Sequence, residues 1–561
     1  MVQGLKTESE WWRETTIYQV CPRSFADANG DGIGDLPGII SRLDYIKKLG
    51  FETIWLSPHY PSPQRDFGYD ITDFCGVAPE YGRLDDAVKL IEEVHRRGMK
   101  ILFDMVLNHT SDEHPWFRES RASRDNPRRD WYIWRSGKGR RPPNNWAAIP
   151  GGPSWRYDRT TEQWYLQSFL PFQPDLNFRN PEVKAAMFDA MRFWLDRGVD
   201  GFRLDIFHKI FKDDRFRNNP ISWRFIPTRD LDEGYFQKLR YNRNRPETFA
   251  LAKEVRAVVD TYRPPRFVVG EVFGKGVIKR YLGENHDGLN LILLFDLVNQ
   301  SRMTARHIKA IIRAYEAEYP HPHLPTYALG NHDRRRYMSR IGGNAALARL
   351  LAFFLYTARG VPINYYGDEI GIPDSDFPHK DARDAIAHAY WWVPRAIARK
   401  LDLYINRDGC RTPMQWDPSV NAGFSPEGAT PWLPVHPGYR TCNVSNQQED
   451  AFSILNTHRK LLQLRRRHAC LRRGVLELLP EGSVPEEVVG YDRKLEGETI
   501  RVMMNFSRNP RSVRLDGVPG EALACSDTAC TAMRDQVCLG AFGGMLLGSP
   551  VSDGSDPCSE K

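Results

Sequence analysis

The sequence predicts an α/β protein: a (β/α)8 TIM barrel with an inserted subdomain after strand 3 and a C-terminal antiparallel β domain. Three observations carry this prediction. Short β-branched runs alternate with amphipathic segments through most of the chain. Acids and histidines follow those runs, and after residue 470 the alternation gives way to short β-like runs.

The first elements read in order as TIYQV, PGIISRLDYIKKLG, TIWLS, RLDDAVKLIEEVHRRG and KILFDMVL, the succession of βαβ units with a parallel sheet. In the second helical segment Leu84, Ala87, Leu90, Ile91 and Val94 recur at helical spacing, and Gly98 stands where a left-handed C-terminal cap belongs. The run 100–107 is apolar nearly throughout, as a strand buried on both faces requires. Further strands are predicted at 201–205, 267–272, 289–295, 325–329 and 362–366, which completes eight. In such a barrel the chemistry collects at the C-terminal ends of the strands.

The barrel is assigned residues 1–108 and 178–470. Residues 109–177, rich in Trp, Pro, Gly and Asn, are too many for a βα loop and form the inserted subdomain. Most of its Trp131, Trp134, Trp146, Trp155 and Trp164 are read as that subdomain's own core. A second insertion, 373–405, has a helix-like apolar pattern over 385–403 and returns to the mouth at Arg407. A last long helix is predicted over 452–468, and residues 471–561 form the C-terminal β domain.

Composition narrows the function. Lys and Arg number 78 against 71 Asp and Glu, a net charge of +7 without one basic stripe, which argues against nucleic-acid binding. No apolar run reaches the roughly 20 residues of a membrane span, and no apolar leader opens the chain, so a cytoplasmic protein, monomer or homodimer, is expected. Nine cysteines without a CxxC pair argue against a zinc site or a disulfide framework.

Three acids end three predicted strands: Asp205 in GFRLDIF, Glu271 in VVGEVFG and Asp333 in LGNHDRR. Each alone also fits a helix cap or a surface acid. Together they fit glycosidic hydrolysis with retention, which needs a nucleophilic carboxylate and a second carboxyl about 5 to 5.5 Å away as acid and base. Arg203, two residues before Asp205 and on the same strand face, would keep Asp205 ionised and oriented. His109 and His332 are suited to donate to sugar hydroxyls, and each alone also reads as a structural hydrogen bond.

The motifs GFETIWLSP, DMVLNH, QPDLN, GFRLD, GEVF, GNHD and GVPINYYGDEIG, in this order, resemble the α-amylase superfamily of glycoside hydrolases, within it the oligo-1,6-glucosidase and α-glucosidase subgroup. The resemblance implies Asp205 as nucleophile, Glu271 as general acid/base and Asp333 as the acid binding the 2-OH and 3-OH groups. It places Arg203, His109 and His332 around the sugar, Tyr69 beneath it, and Asp104 in support. It also implies that Asp66 and Arg411 pair on the 4-OH of a terminal glucose, which enforces exo attack; a plain loop ion pair is the alternative. Arg407 matches an arginine near the +1 subsite.

The loop DANGDGIGD offers oxygen ligands from Asp27, Asn29, Asp31 and Asp35 and the carbonyl of Ile33, like the first half of an EF-hand loop. Asp35 also fits a helix cap. Members of the subgroup carry Ca²⁺ or Mg²⁺ here, so a structural Ca²⁺ is expected, with Mg²⁺ as the alternative. The residue after the nucleophile is Ile206, where the subgroup tends to Val for α-1,6 and Ala or Thr for α-1,4 links. Residues 208–231 and 373–405 depart from the subgroup pattern. The implied substrate is a disaccharide or short oligosaccharide, and the implied enzyme a retaining exo-α-glucosidase. A glucosyltransferase or isomerase of the same fold, acting on maltose or sucrose, is the alternative; the RLDRD-like loop of sucrose isomerases is not found. A non-catalytic homologue is disfavoured by the complete triad.

Overall fold

The computed structural model describes residues 8–139, 141–149, 151–224, 233–274, 276–300, 302–394, 397–398, 403–514, 520–533 and 536–549. Eight parallel strands form one sheet: β1 Ile17–Val20, β2 Thr53–Leu56, β3 Lys100–Met105, β4 Gly201–Leu204, β5 Phe267–Gly270, β6 Leu291–Ile292, β7 Thr326–Ala328 and β8 Val361–Tyr365. They pair in the order β6-β5-β4-β3-β2-β1-β8-β7, and each lies within or on a predicted run. The seam between β6 and β7 is closed by a side chain. The Thr326 hydroxyl accepts from the Leu294 N–H (2.9 Å) and donates to the Ile292 carbonyl (2.8 Å), standing in for ladder bonds across the gap.

Every residue of β1, β2, β4 and β5 is buried, as a sheet covered on both faces demands. The helix Leu84–Arg96 buries Ala87, Leu90, Ile91 and Val94, and Gly98 takes φ +64°, the left-handed turn that ends the segment. The helix Ala345–Thr357 is buried over nearly all its length because the helix Ile454–Arg467 and the C-terminal strands pack on it. Two buried arginines close that contact. Arg465 donates to the carbonyls of Tyr356 (3.0 Å) and Gly360 (2.6 Å), and Arg493 to that of Thr357 (2.5 Å), so cations meet the unsatisfied carbonyls at and just beyond the helix end.

The C-terminal strands form an antiparallel sheet of five, Val475–Leu478, Val488–Leu495, Glu498–Asn505, Gly544–Gly548 and Glu521–Cys525, beside an antiparallel sheet of three. In the inserted segment Trp134–Arg135, Gln163–Leu166 and Trp155–Asp158 make a small sheet. Trp146 and Trp155 build a local core with Ile133 and Leu166, with Trp164 packed against it. Trp131 and Trp134 instead join the main core. In the second insertion the described helix is short, Ala385–Ala389, and the chain turns at Tyr390 ahead of Pro394, which cannot continue it. Residues 397–398 are helical again, and residues 395–396 and 399–402 of the predicted helical run lie outside the described residues. Among the described residues no helix is long and apolar enough to cross a membrane.

Burial holds His59, His114, His332 and His458 down at about 3 and His109 at about 4, against about 6.5 in an unfolded chain. The unfolded chain therefore takes up protons below pH 6.5 that the folded chain refuses. This stability is fully present above pH 6.5 and is lost as pH falls towards 3. The melting temperature is expected to drop by about 10 °C between pH 7.5 and pH 5; a calorimetric scan series that is flat over that window contradicts the reading.

Candidate active site

Strand register brings the polar groups to one place. Asp104 of β3 lies opposite Arg203 of β4, Asp205 follows β4, Glu271 follows β5, and Asp333 lies in the loop after β7. Arg203 is buried. Its Nη1 donates to Asp205 Oδ1 (2.7 Å) and Asp104 Oδ1 (2.9 Å), and its Nη2 to Glu271 Oε2. A buried guanidinium needs acceptors for its N–H groups, and here three carboxylates share one cation. Burial pushes the Asp205 carboxyl well up; Arg203 pulls against this, while the charges of Glu271, Asp104 and Asp333 add to it. Burial also raises Asp104, against the pull of Arg203. Asp104 and Asp205 therefore hold a proton more readily than isolated carboxylates would.

A line of donors fixes the wall beside Asp104. Gln19 Nε2 donates to His332 Nδ1 (2.7 Å), leaving His332 Nε2 as the donor to the Tyr69 oxygen (2.8 Å), and Tyr69 donates to Asp104 Oδ2 (3.0 Å). This order follows from the bonds each ring nitrogen makes. Trp55 Nε1 adds a bond to the same oxygen at 3.2 Å. The rings of Tyr69 and His332 stack with centroids 5.4 Å apart. His109 accepts from Asn108 at Nδ1 (3.2 Å), and its buried Nε2 has no hydrogen-bond partner among the described residues. That is the condition of a donor reserved for a ligand hydroxyl.

The second charged group differs from the expected pairing. Asp66 Oδ1 accepts from Arg407 Nη2 (2.6 Å), not from Arg411, and Asp66 Oδ2 accepts from Gln173 Nε2 (2.8 Å). Arg411 instead donates from Nη2 to Asp333 Oδ1 (3.0 Å) and from Nε to the His332 carbonyl (2.7 Å), while its Nη1 is buried without a partner among the described residues. Arg407 Nη1 reaches the same Asp333 oxygen at 3.1 Å. Arg407 therefore joins Asp66 to Asp333, in the wall of the site itself. The short helix Asp408–Cys410 separates the two arginines, which meet on Asp333 while only Arg407 reaches Asp66.

Ile206 follows Asp205 with φ +35°, a left-handed conformation that a β-branched residue holds at a cost of about 1–3 kcal/mol. The turn brings the Ile206 N–H to 3.4 Å from Glu271 Oε2. Of the segment 208–231, residues 225–231 lie outside the described residues. A cavity of about 230 Å³, lined by Arg135, Arg179, Phe211 and Lys212 among others, lies between the inserted segment and the loop after β4 and includes none of the three acids.

In the loop 27–35, Asp27 accepts from the N–H groups of Gly30 (2.7 Å) and Gly32 (2.8 Å), and Asp31 from that of Ile33 (2.8 Å). Asp35 accepts from Gly38 (2.6 Å), so it does cap the helix Leu36–Ser41, and its other oxygen takes the N–H of Ala28 (3.1 Å) and of Asn29 (3.2 Å). Gly32 has φ +86°, and a Cβ there would stand 1.9 Å from the Thr430 carbonyl oxygen. Glycine is thus obligatory at the sixth position of the ligand pattern, as in an EF-hand turn. All five expected donors are oxygens, which suits a hard cation; among the described residues no three His, Cys, Asp or Glu side chains gather as a metal cluster.

Sequence reasoning missed Gln19, Gln173 and Asp384. Gln19 had a signal, a lone amide within a buried strand. Gln173 lay in a quoted motif without a role, and Asp384 had no local signal at all.

A barrel mouth that gathers carboxyls at one point holds the kind of carboxyl pair that glycoside hydrolysis uses. Residues 19–474 match the alpha amylase catalytic domain, and the chain belongs to that family. It is 38% identical over 538 residues to an oligo-1,6-glucosidase of Parageobacillus thermoglucosidasius, covering 91% of this chain and 92% of that protein. It is 39% identical over 516 residues to a probable alpha-glucosidase of Rhizobium meliloti (strain 1021), covering 90% of each. Among solved structures, an alpha-glucosyl transfer enzyme is 36% identical with a TM-score of 0.86, covering 96% of this chain and 99% of that one. The trehalulose synthase of Pseudomonas mesoacidophila MX-45 is 34% identical, also with a TM-score of 0.86, covering 96% and 99%.

Proposed function

We propose that the protein is a retaining exo-α-glucosidase that releases terminal glucose from disaccharides and short oligosaccharides. The observation that carries this reading is the shared bonding of Asp205 and Glu271 to one guanidinium, which brings the two carboxyls to the same cation, in keeping with the short separation that retention needs. Asp205 attacks the anomeric carbon as Glu271 gives its proton to the departing oxygen, and the glucosyl group is held as an ester on Asp205. Glu271 then takes a proton from water, whose oxygen attacks the same carbon and frees Asp205. Arg203 orients the nucleophile. His109, neutral through burial, donates from its unpartnered Nε2 to a sugar hydroxyl without adding charge, His332, also neutral, holds the Tyr69 hydroxyl in place, and Asp333 and Asp66 accept from other hydroxyls.

The arginine-linked wall of Asp66, Arg407, Arg411 and Asp333 closes one end of the site, which favours attack at a chain terminus. A second reading, glucosyl transfer in which a sugar hydroxyl replaces water, draws support from the two similar solved structures, whose names are those of a transfer enzyme and a synthase. The loop 27–35 is read as a structural Ca²⁺ site held by Asp27, Asn29, Asp31, Asp35 and the Ile33 carbonyl, with Mg²⁺ as the alternative. The ion would fix the loop between β1 and the helix Leu36–Ser41 and takes no part in the reaction.

Incubation with maltose, isomaltose, sucrose and soluble starch tests the main reading. Glucose from one or both of the glucose disaccharides, with starch shortened slowly, is expected. Products longer than the substrate favour transfer, and rapid starch shortening overturns exo attack. Chelation by EDTA is expected to lower the melting temperature, with recovery on added Ca²⁺; an unchanged melting temperature, with no metal found by elemental analysis, removes the cation from the account.

A further inference from the structure

Asp384 belongs to the second insertion, outside every motif by which the chain resembles its family, and is fully buried. It does three things at once. Its Oδ2 accepts from the Arg407 main-chain N–H (2.7 Å) and from Arg407 Nε (3.0 Å), and its Oδ1 accepts from Arg407 Nη2 (2.7 Å). Its Oδ1 also accepts from the Ile386 N–H (3.1 Å), which caps the helix Ala385–Ala389. The carboxylate thus holds both the backbone and the forked edge of the guanidinium, the geometry in which an arginine has the least freedom. Nη1 of the same guanidinium lies on Asp333, and Nη2 also lies on Asp66.

The loop carrying Arg407 is tied to the insertion a second time. Asp408 Oδ2 accepts from the Arg383 N–H (2.7 Å), so residues 383 and 384 and residues 407 and 408 are laced together from both sides. An ion pair with only a bracing role needs no third and fourth partner. Here the arginine that Asp384 holds reaches both acids of the pocket wall, and a shift of that guanidinium moves both.

We propose that Asp384 is a positioning residue for the glucose pocket, setting the Arg407 guanidinium that joins Asp66 to Asp333 and so making the pocket wall depend on the insertion 373–405. The proposal rests on the reading of the site as a glucose pocket. It deepens that reading by locating part of the pocket's selectivity outside the barrel. Asp384 touches neither substrate nor reacting atoms; it acts through Arg407.

The test is Asp384→Asn in the full-length chain, assayed at 25 °C with p-nitrophenyl α-glucoside and titrated by calorimetry with 1-deoxynojirimycin, a glucose-shaped iminosugar whose binding needs no turnover. Asparagine keeps the volume and the capping oxygen and removes the charge and one acceptor. The expected result is a KM and an iminosugar Kd raised about tenfold, with kcat within about threefold of the parent. If the asparagine variant does not fold, Asp384→Glu, which keeps the charge and displaces the guanidinium, is read by the same split, with KM raised more than twofold. A folded variant whose KM and Kd stay within twofold of the parent, however much its melting temperature falls, overturns the proposal and leaves Asp384 a structural brace. Failure of the glucosidase reading looks different: the unsubstituted chain neither cleaves the glucoside nor binds the iminosugar.

Discussion

The guanidinium of Arg203 is buried at the mouth of the barrel, and a charge in that position needs acceptors at hydrogen-bond distance. Meeting it draws Asp104, Asp205 and Glu271 from three adjacent strands to one point. Removing any one of them leaves the others unevenly compensated, and removing the cation leaves three acids crowded in a dry site. The rest of the site is arranged around this demand. Tyr69 and Trp55 take the second oxygen of Asp104, the Tyr69 oxygen takes the proton of His332, and Gln19 fixes which nitrogen of His332 carries it.

A second cluster stands on the other side of the pocket and follows the same rule with the signs exchanged. Arg407 and Arg411 converge on one oxygen of Asp333, and Arg407 is compensated in turn by Asp66 and Asp384. The barrel supplies Asp333, the loop after β2 supplies Asp66, and the segment after β8 supplies both arginines and Asp384. The sheet thus supplies Arg203 with the acids it gathers, and the loops supply Arg407 and Arg411 with Asp66 and Asp384, so that sheet and loops make one site.

The fold was legible because burial writes itself into the chain. Strands covered on both faces must be apolar throughout, and their helices must be amphipathic, so the eight runs could be placed in sequence and each recurs in the sheet. The acids were legible for the same reason, since a carboxylate that ends an apolar run is conspicuous. Their grouping around Arg203 depends on register between strands far apart in the chain, which alternation alone does not fix. The arginine partners were less legible. Residues 407 and 411 both offer a cation four positions apart, and nothing in that spacing decides that Arg407 meets Asp66. Of the helical pattern over 385–403, the described chain is helical over Ala385–Ala389, turns at Tyr390 ahead of Pro394, and is helical again at 397–398. Asp384 was invisible in the sequence, since a capping acid at a short helix looks like any other until its partner is placed.

The central claim is that the carboxyl held by Arg203 on β4 forms the bond to the sugar. It is tested most directly by trapping the enzyme with 5-fluoro-α-glucosyl fluoride, which loses fluoride readily and leaves a glucosyl ester that water removes slowly. Proteolysis and mass spectrometry of the trapped protein should place the sugar on the peptide containing Asp205. A label on any other residue, or an untrapped enzyme whose first product by NMR has the inverted anomeric configuration, contradicts the account.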